Sequence, residues 1–234
     1  MAITVYTYND KVLKNVTTDK WLKKHEAPVN PYNPLGLDPG VFRIQVTSGT
    51  SSWTGAQTAT LVPGTSDVYD VLFTEANKTQ YSKTIVLKVL GANAYGMTNL
   101  SGMFQSCSNL EEVAVLDISG VTDISGMFSM CSNLYSIAAN MPTGNAQNWT
   151  STFASDTSLT QLPLFDTSSA VNVSAMFGGC TNVESGALAL YQQMSTQANP
   201  PTTTANCFGS CGVNTETGMA EFIQIPQSWG GGAS

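Results

Sequence analysis

Ser101-Gly102-Met103-Phe104-Gln105-Ser106-Cys107 returns 24 residues later as Ser125-Gly126-Met127-Phe128-Ser129-Met130-Cys131. A third copy is Ala175-Met176-Phe177-Gly178-Gly179-Cys180, and Ser151-Thr152-Phe153 through Asp156 is a degenerate copy between them. Phe104, Phe128, Phe153 and Phe177 are 24, 25 and 24 residues apart. Cys107, Cys131, Asp156 and Cys180 keep the same intervals, as do Leu110, Leu134, Leu159 and Val183. Three anchors moving together at one period in the twenties, on a leucine frame, predict a leucine-rich solenoid running from about Gly96 to Cys211.

Within one unit, Met103, Phe104 and Cys107 fall at i, i+1 and i+4, which predicts one face of a short helical turn. Leu110, Val113 and Val115 then lead into an alternating strand that carries Glu112, Ala114 and Leu116 on its outer face. Asp117-Ile118-Ser119-Gly120 turns the chain back, and Asp166 holds the same slot. A single unit cannot bury its own apolar side, whereas a stack buries all but its ends. The strands are expected to form a parallel sheet, and the wider helical side to curve the array. Lining the strands up by the period gives an outward face of Glu112, Ser136 and Gln161, then Ala114, Ala138 and Pro163, then Leu116, Asn140 and Phe165.

Upstream, Asp38-Pro39-Gly40 is a turn signal, and Val41–Val46 alternates as a strand should. Ala59–Val62, Val68–Phe73 and Thr84–Leu90 are further strands, with Trp53 packing among them. Residues 38–91 therefore read as a small β domain that caps the solenoid of residues 92–229. Residues 1–37 read as an extended arm ending in a Pro-rich linker. Tyr6, Tyr8, Leu13, Trp21 and Leu22 are the arm's candidate anchors on a partner; a tail without structure is the competing reading. Downstream, Glu184–Ser195 predicts a helix inserted into the last unit, Glu221–Pro226 a terminal strand and Trp229 a cap on the core. Residues 230–234 predict a flexible end.

The chain has 234 residues and a net charge of −7, and that charge is lopsided. All nine Lys and Arg lie at or before Lys88, against seven acids there; nine acids and no base follow. A stack without a cation cannot displace counterions from a phosphate backbone, so no nucleic-acid partner is expected. No run approaches the ~20 apolar residues of a membrane helix, and the opening residues lack the basic start and apolar run of a signal peptide. The five cysteines are expected as buried thiols in a fixed slot, not as disulfides or zinc ligands. His25 is the one histidine and stands among Lys23, Lys24 and Glu26. With acids spread singly and no phosphate or calcium loop, no catalytic, metal or cofactor site is expected and the chain reads as a non-enzyme.

The frame Met-Phe-x-x-Cys-x-x-Leu, followed by Leu162-Pro163-Leu164-Phe165-Asp166-Thr167-Ser168, resembles the BspA-type leucine-rich repeats of Bacteroidetes surface proteins. Glu184–Gln193, Pro200-Pro201-Thr202-Thr203 and Gln224–Trp229 are similar to proteins carried by crAss-like and other Bacteroides phages. The resemblance covers roughly residues 38–230; Asp156 in place of Cys and Pro142 in place of the turn Asp depart from it. It implies a virion protein assembled in the host cytoplasm: a head fibre, a capsid decoration or a tail fibre. Residues 1–30 would attach it to a capsid or tail protein, in several copies and as a trimer for a fibre. The solenoid would then meet a bacterial surface protein or glycan. A cell-surface adhesin of the BspA type is the alternative, and it would need an export signal.

Overall fold

In the structure, a computed structural model that describes residues 6–8, 11–13, 30–47 and 58–233, the chain opens on Tyr6–Tyr8 (β1) paired antiparallel with Lys11–Leu13 (β2). The alternating Val41–Val46 forms β3, with Phe42, Ile44 and Val46 turned into the core. Thr58–Leu61 (β4), Val68–Leu72 (β5) and Val86–Asn93 (β6) complete an antiparallel group in the order β4-β5-β3-β6. Arg43 and Asp70 sit opposite each other on β3 and β5 and form a two-pronged ion pair at 2.7 and 2.8 Å. On its other edge β6 pairs in parallel with Glu112–Val113 (β7) and Leu116–Asp117 (β8), and β7 pairs with Ser136–Ile137 (β9). One mixed sheet of seven strands thus runs from the N-terminal residues into the repeats, and the boundary expected after residue 91 falls inside β6.

The repeats stack as successive coils of chain, beginning at Asn99, Asp123, Asn148, Asn172 and Thr203, each bridged in parallel to the next. At the first four of these residues the side-chain Oδ1 accepts the N–H two residues on, at 2.9, 2.9, 3.2 and 3.0 Å. Such Asx turns satisfy an N–H at the start of each coil and fix the turn of the chain there.

The short helical turn expected at Met103–Cys107 is not formed. Odd-numbered N–H groups there close tight turns, as in Met103 to Leu100 O and Gln105 to Gly102 O. Even-numbered ones reach the next coil, as in Gly102 to Ser125 O, Phe104 to Met127 O and Ser106 to Ser129 O. The alternation needs two left-handed residues per coil, four apart: Gly102 and Ser106, Gly126 and Met130, Ser151 and Ser155, Ala175 and Gly179, Asn206 and Ser210. The backbone ladder, not a wide helix, therefore sets the coil spacing on this side, and the wedge expected to curve the array is missing.

One apolar core runs from Phe42 to Trp229. Along it Phe104, Phe128, Phe153, Phe177 and Phe208 stack face to face, with ring centroids 5.3–6.0 Å apart. The two ends are closed differently. At the first coil Lys78 Nζ donates to Asn99 O, and Lys83 Nζ and Tyr81 OH both donate to Met103 O. Glu75 accepts the N–H groups of Thr98 and Asn99 at 2.6 and 3.0 Å, bonds that hold its carboxyl below the ordinary range. At the last coil Phe208 N–H donates to Trp229 O, and Trp229 meets Tyr191 edge-on at 5.4 Å.

Ala187–Thr196 (α1) matches the helix expected from the sequence, with the Glu221 carboxylate accepting from Leu188 N–H at its start. The terminal strand expected over Glu221–Pro226 is instead the end of a second helix, Glu216–Phe222 (α2), and the turn after it. Thr215 explains this, since its side chain accepts from Gly218 N–H as an N-cap. The glycine-rich end is also bonded, with Gly231 N–H on Pro226 O and Gly232 N–H on Phe222 O. A Cβ on Gly231 would lie 2.1 Å from Ile225 O, so glycine is required for that approach.

Candidate functional site

On the strand side, coil is joined to coil by backbone bonds at fixed slots. Tyr135 N–H donates to Glu111 O and Ala138 N–H to Val113 O, just as Ala114 N–H donates to Val89 O. One coil beyond the break the pattern resumes, with Glu184 and Ser185 N–H on Thr160 O. Between the second and third coils it fails: among the described residues no backbone hydrogen bond joins 134–139 to 159–164. Two features of the sequence account for the gap. Pro163 occupies the slot of Ala114 and Ala138 and has no N–H to give. The third coil also carries Trp149 where its neighbours carry Ile124 and Val173, and Trp149 packs against Phe165 at 5.4 Å.

The coils part there around a cleft of about 200 Å³, lined by Tyr135, Ser136, Ile137, Ala139, Gln161 and Pro163. Tyr135 is half exposed, and its hydroxyl donates to Glu112 Oε1 at 2.8 Å. Glu112 in turn pairs with Lys88. The Lys88 and Tyr135 bonds hold the Glu112 carboxyl below its ordinary range, and the same contact raises the Tyr135 phenol. The hydroxyl is thereby tethered, and the ring lines the cleft while staying half exposed.

The expected outward face is met only in part. Ser136 and Gln161 are brought together in the cleft, Glu112 reaches it through Tyr135, and Asn140 is exposed beyond Ala139. Leu116 and Phe165 do not belong to a surface: they are 0% and 2% exposed and lie in the core. The chain bends between β7 and β8, so the inward residues are Val113 and Leu116, and in the third coil Leu162 and Phe165. That spacing of three defeats the strict alternation of an unbroken strand. Of the anchor residues, Tyr6 and Tyr8 lie on β1 and Leu13 on β2, whereas Trp21 and Leu22 lie outside the described residues, as do Trp53 and His25. Sequence reasoning missed Tyr135, although Pro163 standing in an alanine slot was a readable sign of a broken ladder.

The five cysteines are buried and carry no disulfide. Burial pushes the Cys107 thiol up to about 11 and Cys211 to about 12, and raises Cys131, Cys180 and Cys207 as well. At neutral pH they are thiols, and Cys131 and Cys180 donate S–H to Phe104 O and Phe153 O of the preceding coil at 3.1 and 3.0 Å. Thiols in this state are poor nucleophiles. Asp117 and Asp166 accept from the N–H groups of Ser119 and Ser168 as turn caps. Among the described residues no cluster of His, Cys, Asp and Glu is arranged to hold a metal, and no helix is long and apolar enough to cross a membrane.

Residues 98–207 match the family described as "Mycoplasma protein of unknown function, DUF285". No curated protein and no solved structure matches the chain.

Proposed function

We propose that this protein is a non-catalytic binding module, a BspA-type leucine-rich solenoid displayed on a phage particle and facing outward with its strand side. The cleft between the second and third coils carries this reading. It is the place where the repeat abandons its own hydrogen bonding, and it presents a tethered aromatic ring beside Ser136 and Gln161. The deeply buried thiols and the acids used as turn caps leave no catalytic cluster among the described residues, which fits binding better than chemistry. Attachment is assigned to residues 1–30, which hold five of the nine cations and the candidate anchors Tyr6, Tyr8, Leu13, Trp21 and Leu22. Contact with the host is assigned to the cleft, and weak single contacts would gain from many copies on one particle.

Mass spectrometry of density-purified phage particles tests the first half. Peptides of this chain at a fixed ratio to the capsid protein are expected, and a chain lacking residues 1–30 should fold but no longer join particles. Binding of the purified chain to host cells, with and without Tyr135→Ala, tests the second half. Unchanged binding in that variant would remove the cleft from the account. An adhesin on a bacterial surface is the second reading. It is favoured by one finding, that the matching family is described from a bacterium. Recovery of the chain from cell envelopes and not from particles would decide for it.

A further inference from the structure

We infer that the cleft between the second and third coils is a subsite for one neutral sugar ring, a deepening that rests on the binding reading above. The first ground is the balance of hydrogen-bonding groups. With Pro163 unable to donate and Thr160 N–H not reaching back, the Tyr135 and Ile137 carbonyls lose the partners that their counterparts Glu111 and Val113 keep. Carbonyl oxygens without donors suit a ligand made of hydroxyl groups, each of which donates one hydrogen bond. The Ser136 hydroxyl and the Gln161 amide add groups that both donate and accept.

The second ground is the platform. Tyr135 is tethered by Glu112, and Glu112 by Lys88, so the half-exposed ring has less freedom to lose on binding. An aromatic face suits the C–H face of a pyranose, and Ile137 and Pro163 supply an apolar floor. The third ground is charge. No charged side chain lines the cleft, and Glu112, which bonds Tyr135, is neutralised by its ion pair with Lys88, so the site offers no free cation to an anionic ligand. A volume of about 200 Å³ holds one ring and not a folded element. An extended peptide is the competing occupant. It would need a strand's width of open edge, whereas the coils on either side stay bridged at Asp123 and Asn148.

The test uses the full chain and saturation-transfer NMR with the methyl glycosides of glucose, galactose, mannose and N-acetylglucosamine at millimolar concentration. Transfer to the ring protons of at least one glycoside is expected, with a Kd on the order of millimolar for a single ring. Tyr135→Ala should cut it about fivefold or more, and Gln161→Ala should reduce it too. Both side chains are exposed, so the fold is retained. No transfer from any of the four, or transfer that both variants leave unchanged, overturns the sugar subsite. If sugar transfer is nil while Tyr135→Ala still abolishes binding to cells, the ligand class is wrong and the binding reading stands. If sugar transfer depends on Tyr135 but cell binding does not, the subsite stands and the host-contact reading falls.

Discussion

Asp156 sits where the other coils place cysteine, fully buried, with Oδ1 accepting from Cys131 N–H at 2.7 Å and Oδ2 without a partner. Burial raises its pKa to about 9, so the folded protein holds it protonated at neutral pH. An acid whose folded value lies above its unfolded value binds more protons when folded. Its contribution is therefore intact in acid and falls, by about 1.4 kcal/mol per pH unit, as pH rises from about 4 toward that folded value. Asp156→Cys removes the titration and restores an S–H in the slot. The gain in unfolding free energy from this change should be larger at pH 8 than at pH 5, read by urea denaturation at both. Met130 is a second local misfit, a half-exposed side chain at φ 62° in a slot that Gly179 fills one coil pair later. Met130→Gly should stabilise by about 1 kcal/mol, seen as a higher urea midpoint with unchanged slope.

At the scale of the elements, the strand ladder is a set of equivalent positions with one fault. Pro163→Ala returns the missing N–H, which can then donate to Ile137 O as Ala138 donates to Val113 O. The expected result is a gain of about 1 kcal/mol, slow hydrogen exchange at position 163, and a weaker signal from any cleft ligand. How far the sequence spoke at this scale depends on what each element rests on. The strands β3 to β6 and helix α1 follow from periodicity and were legible within a few residues. The turns of Met103–Cys107 were not, because an i, i+1, i+4 pattern fits a helical turn and a ladder of left-handed corners equally well. The Asn99, Asp123, Asn148 and Asn172 row keeps the same 24-, 25- and 24-residue intervals as the phenylalanines, so it was readable; its members, three asparagines and an aspartate, looked like ordinary surface residues. Helix α2 was hidden because Thr215 acts through its cap, and Glu221–Ile225 alternates well enough for a strand. Leu116 and Phe165 were misplaced by the bend between β7 and β8, which arises from packing and leaves no mark in composition.

For the whole molecule, every coil donates N–H groups from its Met-Phe stretch to the following coil and accepts from the one before. The first coil is left with carbonyls that Lys78, Tyr81 and Lys83 cover, and the last with an N–H that Trp229 covers. The stack therefore has a polarity, and its two ends cannot be exchanged. On the Met-Phe side the coils between them are interchangeable in kind, since the donors of one coil fit the acceptors of the next. Length is thus a quantity that can be set by copying. Duplicating residues 123–147 should give a folded protein longer by about 4.8 Å, measurable by small-angle scattering, with the terminal closures untouched. Recombination between repeats would do the same in nature, changing the reach of the molecule in fixed steps while leaving what stands at its foot and its tip as it was.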